Sequence, residues 1–350
     1  MMTTLATTLG SRTLTETLLG QRCRPVRTIT TRSYRGRDRL LSMNGHASAT
    51  DTPLERLFPL TAPLDLALTL LPLGRGPGDP TTKLASTRAV RASRTPVGPA
   101  TLHLEIVGRH LRARGWGSGA AWALDQVPRL VGFDDDPGRL VPSHRLVGEL
   151  ARRMPGLRLG RTDRVLESLV PAILEQKVTG SEASHGLRGL IRRHGEPAPG
   201  PFGLRLLPRP ETLASLPYYA YHPLGIERRR ADAIRWAASR ADRLEEIVDL
   251  PLEEAYARLR ALPGVGAWTA AEVALRALGD TDAVSVGDYH IPNTVAWALA
   301  GEPRGDDARM LELLEPYRGQ RARVIRLLEA AGVAAPRYGP RMAPRAIASI

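Results

Sequence analysis

Leu262-Pro263-Gly264-Val265-Gly266-Ala267-Trp268-Thr269-Ala270-Ala271-Glu272-Val273 is the stretch from which the rest of the chain can be read. Ahead of it Leu252, Tyr256, Leu259 and Leu262 recur at helical spacing, and behind it Trp268, Ala271, Leu275 and Leu278 do the same. The spacing predicts a helix, a tight glycine hairpin and a second helix. Glycine admits positive φ and lacks the Cβ that would hold another backbone away, and here two glycines flank one apolar residue. The second helix opens at that bare turn, so its unpaired amides and positive dipole end can receive a phosphate oxygen without reading sequence. Gly264, Val265, Gly266, Ala267 and Thr269 are therefore the candidate contacts to a nucleic-acid backbone.

Glycine pairs alone would be a weak signal, because helical hairpins need them for packing. The ordered string Leu-Pro-Gly-Val-Gly, then Trp-Thr-Ala, with an isolated carboxylate downstream at Asp288, is far more specific. On these residues the chain resembles the helix-hairpin-helix DNA glycosylase superfamily, and looks closest to its DNA-3-methyladenine glycosylase II branch, which removes alkylated bases. The likeness runs from about Leu54 to the C-terminus and is densest from Thr162 to Leu328.

The resemblance implies roles residue by residue. Asp288 follows Gly287 in a loop, and its carboxylate would stabilise the positive charge that grows on the sugar as an N-glycosidic bond breaks, or orient the attacking water. An Asp there also suits the N-cap of a helix from Tyr289 to Leu299, and the two roles are compatible. Trp268 stands where superfamily members that also cleave the strand carry a lysine nucleophile. Indole offers no amine for a Schiff base, which implies a monofunctional enzyme using water.

Trp268, Tyr289 and Tyr317 would form the base pocket, their electron-rich faces attracting a cationic alkylated purine. Core packing is the alternative for Trp268, and a turn for Tyr317. Tyr218, Tyr219 and Tyr221 read as packing or rim residues. Ile173-Leu174-Glu175-Gln176-Lys177-Val178-Thr179 resembles the helix end that fills the gap left by a flipped base, although relatives carry an apolar wedge where Lys177 stands. Gln176 and Lys177 are the gap-filling candidates, an exposed polar helix end is the other reading, and Glu175 is the second-choice carboxylate. The carbonyls of 261–267 resemble a monovalent-cation hairpin. No organic cofactor or redox metal is implied.

Composition bounds these readings. With 350 residues the chain can bury a sizeable core, and a formal charge of +13 with pI near 10.8 favours an anionic partner. Residues 1–50 hold eight Arg against Glu16 and Asp38, so nearly half of the surplus lies in that tail. Lys83 and Lys177 are the only lysines. A GC-rich genome explains that bias, and forked arginines also suit phosphates. Cys23 is the sole cysteine, which excludes an intrachain disulfide, a cysteine zinc site and a cysteine-held iron–sulfur cluster. The eight His lack ligand spacing, so no metal site is expected, and no apolar run approaches a membrane span.

Along the chain, residues 1–52 read as a disordered basic tail, either a targeting segment or the product of a mis-assigned start, with translation beginning at Met43. Residues 53–137 read as an α+β domain: Leu66, Leu68 and Leu70 alternate as in a strand, as do Leu102, Leu104 and Ile106, with turns at 74–80 and 95–99 and a helix over 119–127. The acidic run Asp134 to Asp136 reads as a solvated linker.

Residues 138–335 read as helical, giving a mainly α fold. Thr162 is expected to cap a helix kinked by Pro171, Ser181 the next one, closed by Gly195, and Asp306 a later one. Residues 336–350 form a basic C-terminal tail. The expectation is a monomeric DNA glycosylase for alkylated purines, cytoplasmic and nucleoid-associated, with damaged double-stranded DNA as partner. The alternatives are a noncatalytic helix-hairpin-helix DNA-binding protein, a glycosylase for deaminated or oxidised bases, or a basic RNA-binding protein.

Overall fold

The structure is a computed structural model that describes residues 52–76 and 78–336. Apart from Thr52 and Pro336, the two basic tails, with Met43 and Cys23, lie outside the described residues. The N-terminal part is an antiparallel sheet of β1 (Leu54–Pro59), β2 (Thr82–Leu84), β3 (Arg88–Thr95), β4 (Gly98–Val107) and β5 (His110–Trp116) in the order β1-β5-β4-β3-β2. Leu102 and Leu104 do alternate along β4, packing with Leu111 and Ala113 of β5 against the helices α1 (Leu66–Leu70) and α2 (Ala120–Leu130).

The leucines at 66, 68 and 70 are helical, contrary to the strand expectation. Asp65 Oδ1 accepts the Leu68 amide at 2.9 Å, which caps the turn. Leu66 and Leu70, one turn apart, then bury together at 0% and 1% exposure. In a run of five residues a spacing of two cannot be told from one of four.

Helices follow: α3 (Arg145–Arg153), α4 (Val165–Leu174), α5 (Gly180–His194), α6 (Pro210–Ser215), α7 (Tyr218–Tyr221), α8 (Arg228–Ala238), α9 (Ala241–Glu245), α10 (Leu252–Arg260), α11 (Ala267–Val273), α12 (Ile291–Ala300), α13 (Asp307–Leu314) and α14 (Arg321–Ala330). They form two lobes. Residues of α4, α5, α8, α10 and α11 share one apolar core, and residues of α3, α12, α13 and α14 share another. A π-helical turn, Ala274–Leu278, extends α11, and the segment 279–290 then carries the chain from the first lobe to the second. Asp288 is on that crossing.

Several caps differ from expectation. The amides of Val165 and Leu166 at the start of α4 donate to the Glu245 carboxylate of α9 at 2.8 and 3.1 Å, so the cap comes from a distant helix and not from Thr162. α4 continues through Pro171 to Leu174. α5 is capped by Thr179 in a reciprocal box with Glu182, not by Ser181, while Gly195 does close it. Asp306 caps α13 as expected.

Asp135 is no solvated linker residue. Its carboxylate pairs with Arg323 of α14, with side-chain exposures of 3% and 2%, and accepts the Leu159 amide at 2.8 Å. The sheet is tied to α4 in the same way, for Glu167 accepts from the Arg94 amide and Ser93 Oγ, both at 2.6 Å, and from Arg91 at 3.1 Å.

Candidate nucleic-acid interface and active site

α10, the turn 261–266 and α11 form the hairpin. Leu259 and Leu262 are buried on the incoming side, and Val265 plugs the turn into the first lobe. Gly264 has φ +81°, a left-handed conformation that a side chain would strain, and an added Cβ would stand 3.2 Å from Ala233. Gly266 needs no such conformation, and a Cβ there would meet nothing within 4 Å. Its bareness faces open space. Ala261, Pro263, Gly264 and Gly266 of the turn are exposed, as is Ala267 at the start of α11.

Thr269 and Val265 do not share that exposure. Thr269 is buried, and its hydroxyl accepts the Gln176 side-chain amide at 2.8 Å. The same amide donates to Gly264 O at 2.9 Å, so Gln176 braces the hairpin from the end of α4. Lys177 is exposed beside it with φ +55°, at the tip of the connection to α5. Of the two gap-filling candidates, Gln176 is therefore engaged with the hairpin in this conformation, and Lys177 is the more exposed. Glu175 meets Arg75 at 2.7 Å and Arg276 at 3.6 Å, so it is a structural ion-pair member. Burial and repulsion from Arg276 pull the Arg75 guanidinium down to about 10 against that pairing.

Asp288 is half-buried and committed on both sides. Oδ1 accepts the amides of His290 and Ile291 at 2.6 and 2.8 Å, and Oδ2 accepts the Trp268 indole N–H at 3.0 Å. The expected helix from Tyr289 begins instead at Ile291 with His290 at its N-cap, and Asp288, two residues ahead, takes the amides at its head. The indole contact sets the same carboxylate beside the hairpin. Each carboxylate oxygen has two lone-pair positions, so acceptor capacity remains for water or a sugar. The Gly287 amide donates to both oxygens of Asp307 at 3.0 Å, tying this loop to α13.

The aromatic expectations divide. Trp268 is half-buried against the first lobe, with its N–H turned to Asp288. Tyr289 is 83% exposed and meets His290 edge-on at 4.9 Å, so its ring stands in solvent. Tyr317 is a correction. It is 2% exposed in the second core, and its hydroxyl accepts the His144 amide at 2.9 Å and meets His144 Nδ1 at 2.7 Å. Such a ring has no face to offer a ligand. Tyr221 is buried with its hydroxyl on Leu213 O, whereas Tyr219 is exposed and Tyr218 stacks under Arg228.

Reading the sequence did not find Glu272, Ser285 or Asp307. Glu272, on the same face of α11 as Trp268, accepts the Ser285 hydroxyl at 2.5 Å and pairs with Arg276 at 2.5 Å. Burial opposes the Arg276 charge, but Glu272 and Glu175 outweigh it and hold its pKa above the ordinary value. The helical spacing of 268 and 272 was the available signal for Glu272; nothing in the string marked Ser285 or Asp307. Among the described residues no group of His, Cys, Asp and Glu has the arrangement of a metal site, and no helix is long and apolar enough to cross a membrane.

No family model matches the chain. Relatives do. The chain is 32% identical over 172 residues to a probable bifunctional transcriptional activator/DNA repair enzyme AlkA of Mycobacterium tuberculosis, covering 47% of this chain and 34% of that protein. It is 30% identical over 193 residues to DNA-3-methyladenine glycosylase 2 of Escherichia coli, covering 55% of this chain and 65% of the relative. The chain thus spans about a third of the first relative's length and just under two thirds of the second's.

Among solved structures, a 3-methyladenine DNA-glycosylase from Archaeoglobus fulgidus superposes with a TM-score of 0.65 at 21% identity, over 78% of this chain and 97% of that one. An 8-oxoguanine glycosylase/lyase of Clostridium acetobutylicum, solved with double-stranded DNA, gives 0.63 at 13% identity, over 80% and 97%. With the hairpin, the sheet domain and the crossing loop in place, the chain has the fold of the helix-hairpin-helix DNA glycosylases, and the relatives it resembles in sequence are of the DNA-3-methyladenine glycosylase II kind.

Proposed function

We propose that this chain is a monofunctional DNA glycosylase that hydrolyses the N-glycosidic bond of alkylated purines of the 3-methyladenine type, as a monomer, in base excision repair of cytoplasmic, nucleoid-associated DNA. The observation that carries the reading is the contact between Trp268 Nε1 and Asp288 Oδ2, which brings one carboxylate and one indole together beside the glycine turn. The relatives' printed names support the substrate class.

In this reading the turn takes the phosphate backbone through Gly264, Gly266 and the Ala267 amide, with Val265 anchoring it in the first lobe and Gln176 bracing it at Thr269. The damaged nucleotide leaves the stack, and Lys177 or Gln176 fills the gap. The base meets Trp268, with Tyr289 at the rim. An alkylated purine is already cationic, so its departure needs no protonated acid. Asp288, acting as an anion, stabilises the positive charge growing on the sugar and aligns water behind it. Trp268 supplies no amine, so the product is an abasic site.

A monovalent cation on the hairpin carbonyls fits only in part. The carbonyls of Leu262, Gly264 and Gly266 already accept from Val265, Gln176 and Ala270, at 3.1, 2.9 and 3.0 Å, and each has one lone pair left. No step runs through such an ion.

Incubation with a methylated duplex tests the reading. Free methylated purine should be released, Asp288→Asn should bind the duplex and release none, and borohydride should trap no covalent adduct. A chain that binds the duplex but releases no base would be the noncatalytic DNA-binding protein instead. Release of neutral deaminated or oxidised bases in preference would point to the other glycosylase class, and equal affinity for RNA without an abasic product to RNA binding.

A further inference from the structure

Glu272 is a carboxylate with 9% exposure inside α11, four residues beyond Trp268 and so on the same helical face. Its Oε1 accepts Ser285 Oγ and its Oε2 pairs with Arg276 Nη2, each at 2.5 Å. Arg276 also donates from Nε to Pro72 O at 3.1 Å. A buried ion pair is rarely more stabilising than apolar residues of the same volume, so stability does not explain a charge at this position. Location does. The crossing loop is held by α11 at two points, at Ser285 through Glu272 and at Asp288 through the Trp268 indole. Between them, Ser285 O accepts the Asp288 amide at 3.1 Å. One serine therefore joins α11 to the backbone of Asp288.

We propose that Glu272 is a positioning residue for Asp288, acting through Ser285, with Arg276 holding the Glu272 carboxylate turned toward the loop. The proposal rests on Asp288 being the catalytic carboxylate. The indole holds the tip of the Asp288 side chain, and the Ser285 link holds the turn from which that side chain projects. Misplacing a reacting group by about 1 Å can cost about a hundredfold in rate, so a loop held at both ends matters to turnover more than to folding.

Ser285→Ala tests this, because it cuts the link and leaves the Glu272–Arg276 pair whole. Single-turnover release of base from a methylated duplex should fall about ten- to a hundredfold, with duplex affinity and melting temperature unchanged. Exchange of the Trp268 indole N–H with solvent, followed by NMR, should quicken. Ser285→Thr restores a hydroxyl and should restore both readouts. Glu272→Gln, whose amide oxygen can still accept the serine hydroxyl, should lose less than Ser285→Ala.

Release and indole exchange both at the parental rate in Ser285→Ala would overturn the proposal. So would a loss that follows a lowered melting temperature and is not rescued by threonine. Indole exchange is read without turnover: if the parent released no base but exchange still quickened in Ser285→Ala, the link would stand and the catalytic reading of Asp288 would fall.

Discussion

The Trp268 indole N–H donates to Asp288 Oδ2 at 3.0 Å across twenty residues of sequence, joining the first turn after the hairpin to the loop between the two lobes. Trp268→Phe keeps a ring and removes that donor. Base release should fall roughly ten- to a hundredfold, since the carboxylate loses one of the contacts that orient it. Single-turnover kinetics at saturating enzyme would read this directly, and a parental rate would mean that the indole acts only as a surface for the base.

The two hairpin glycines should fail differently. Gly264→Ala places a side chain at φ +81° with its Cβ 3.2 Å from Ala233, and should cost about 1–2 kcal/mol in urea denaturation. Gly266→Ala has open space around the new methyl and should fold as the parent does. That methyl stands on the bare side of the turn, so duplex binding should weaken severalfold. Undiminished affinity in a titration of Gly266→Ala would place the DNA backbone elsewhere.

Asp135 and Arg323 form a buried pair that joins the N-terminal domain to α14. Removing one partner strands a buried charge, so Asp135→Ala should lower stability by about 3–5 kcal/mol. Arg323→Met added to it should recover part of the loss. Chemical denaturation of the single and double variants gives the comparison.

Asp282 accepts from the amides of Gly319 and Arg321 at 2.7 and 3.1 Å and from Arg321 Nε at 2.9 Å. Burial alone would raise its pKa, but these bonds, those from Arg321 above all, outweigh it and hold the carboxyl below the ordinary 3.8. Folding therefore favours the ionised form. The stability it contributes is complete above the unfolded value and is lost as pH falls through the folded one. The stability gap between the parent and Asp282→Asn should accordingly be widest near neutral pH and close in acid. A gap that does not change with pH would remove the linkage.

The parts that were legible in sequence are those whose signal is local. The hairpin is written in consecutive residues because Gly264 must take a left-handed conformation and Val265 must plug the turn, and the helices around it carry 3.6-residue periodicity over ten or more positions. Asp288 was legible as a carboxylate at the head of α12 because a glycine–aspartate step before a helix is a short-range pattern, although the cap position itself fell to His290. Asp65 was overlooked as a cap because one turn of helix is too short to show a period. Glu245 could not have been assigned to α4 from any spacing, since it reaches that helix from another element.

From its sequence alone this protein had its hairpin, its helix-rich architecture, its basic charge and the absence of an amine at position 268. Tertiary structure alone decided the rest. It sank Tyr317 into the second core, left Tyr289 in solvent, spent Gln176 on the hairpin, and set Glu272 and Ser285 beneath Asp288. The physical reason is that backbone conformation and periodicity are properties of neighbours in the chain. Burial and pairing depend on which distant side chains compete for the same donor or the same space, and that competition is settled only when the two lobes close on the loop between them.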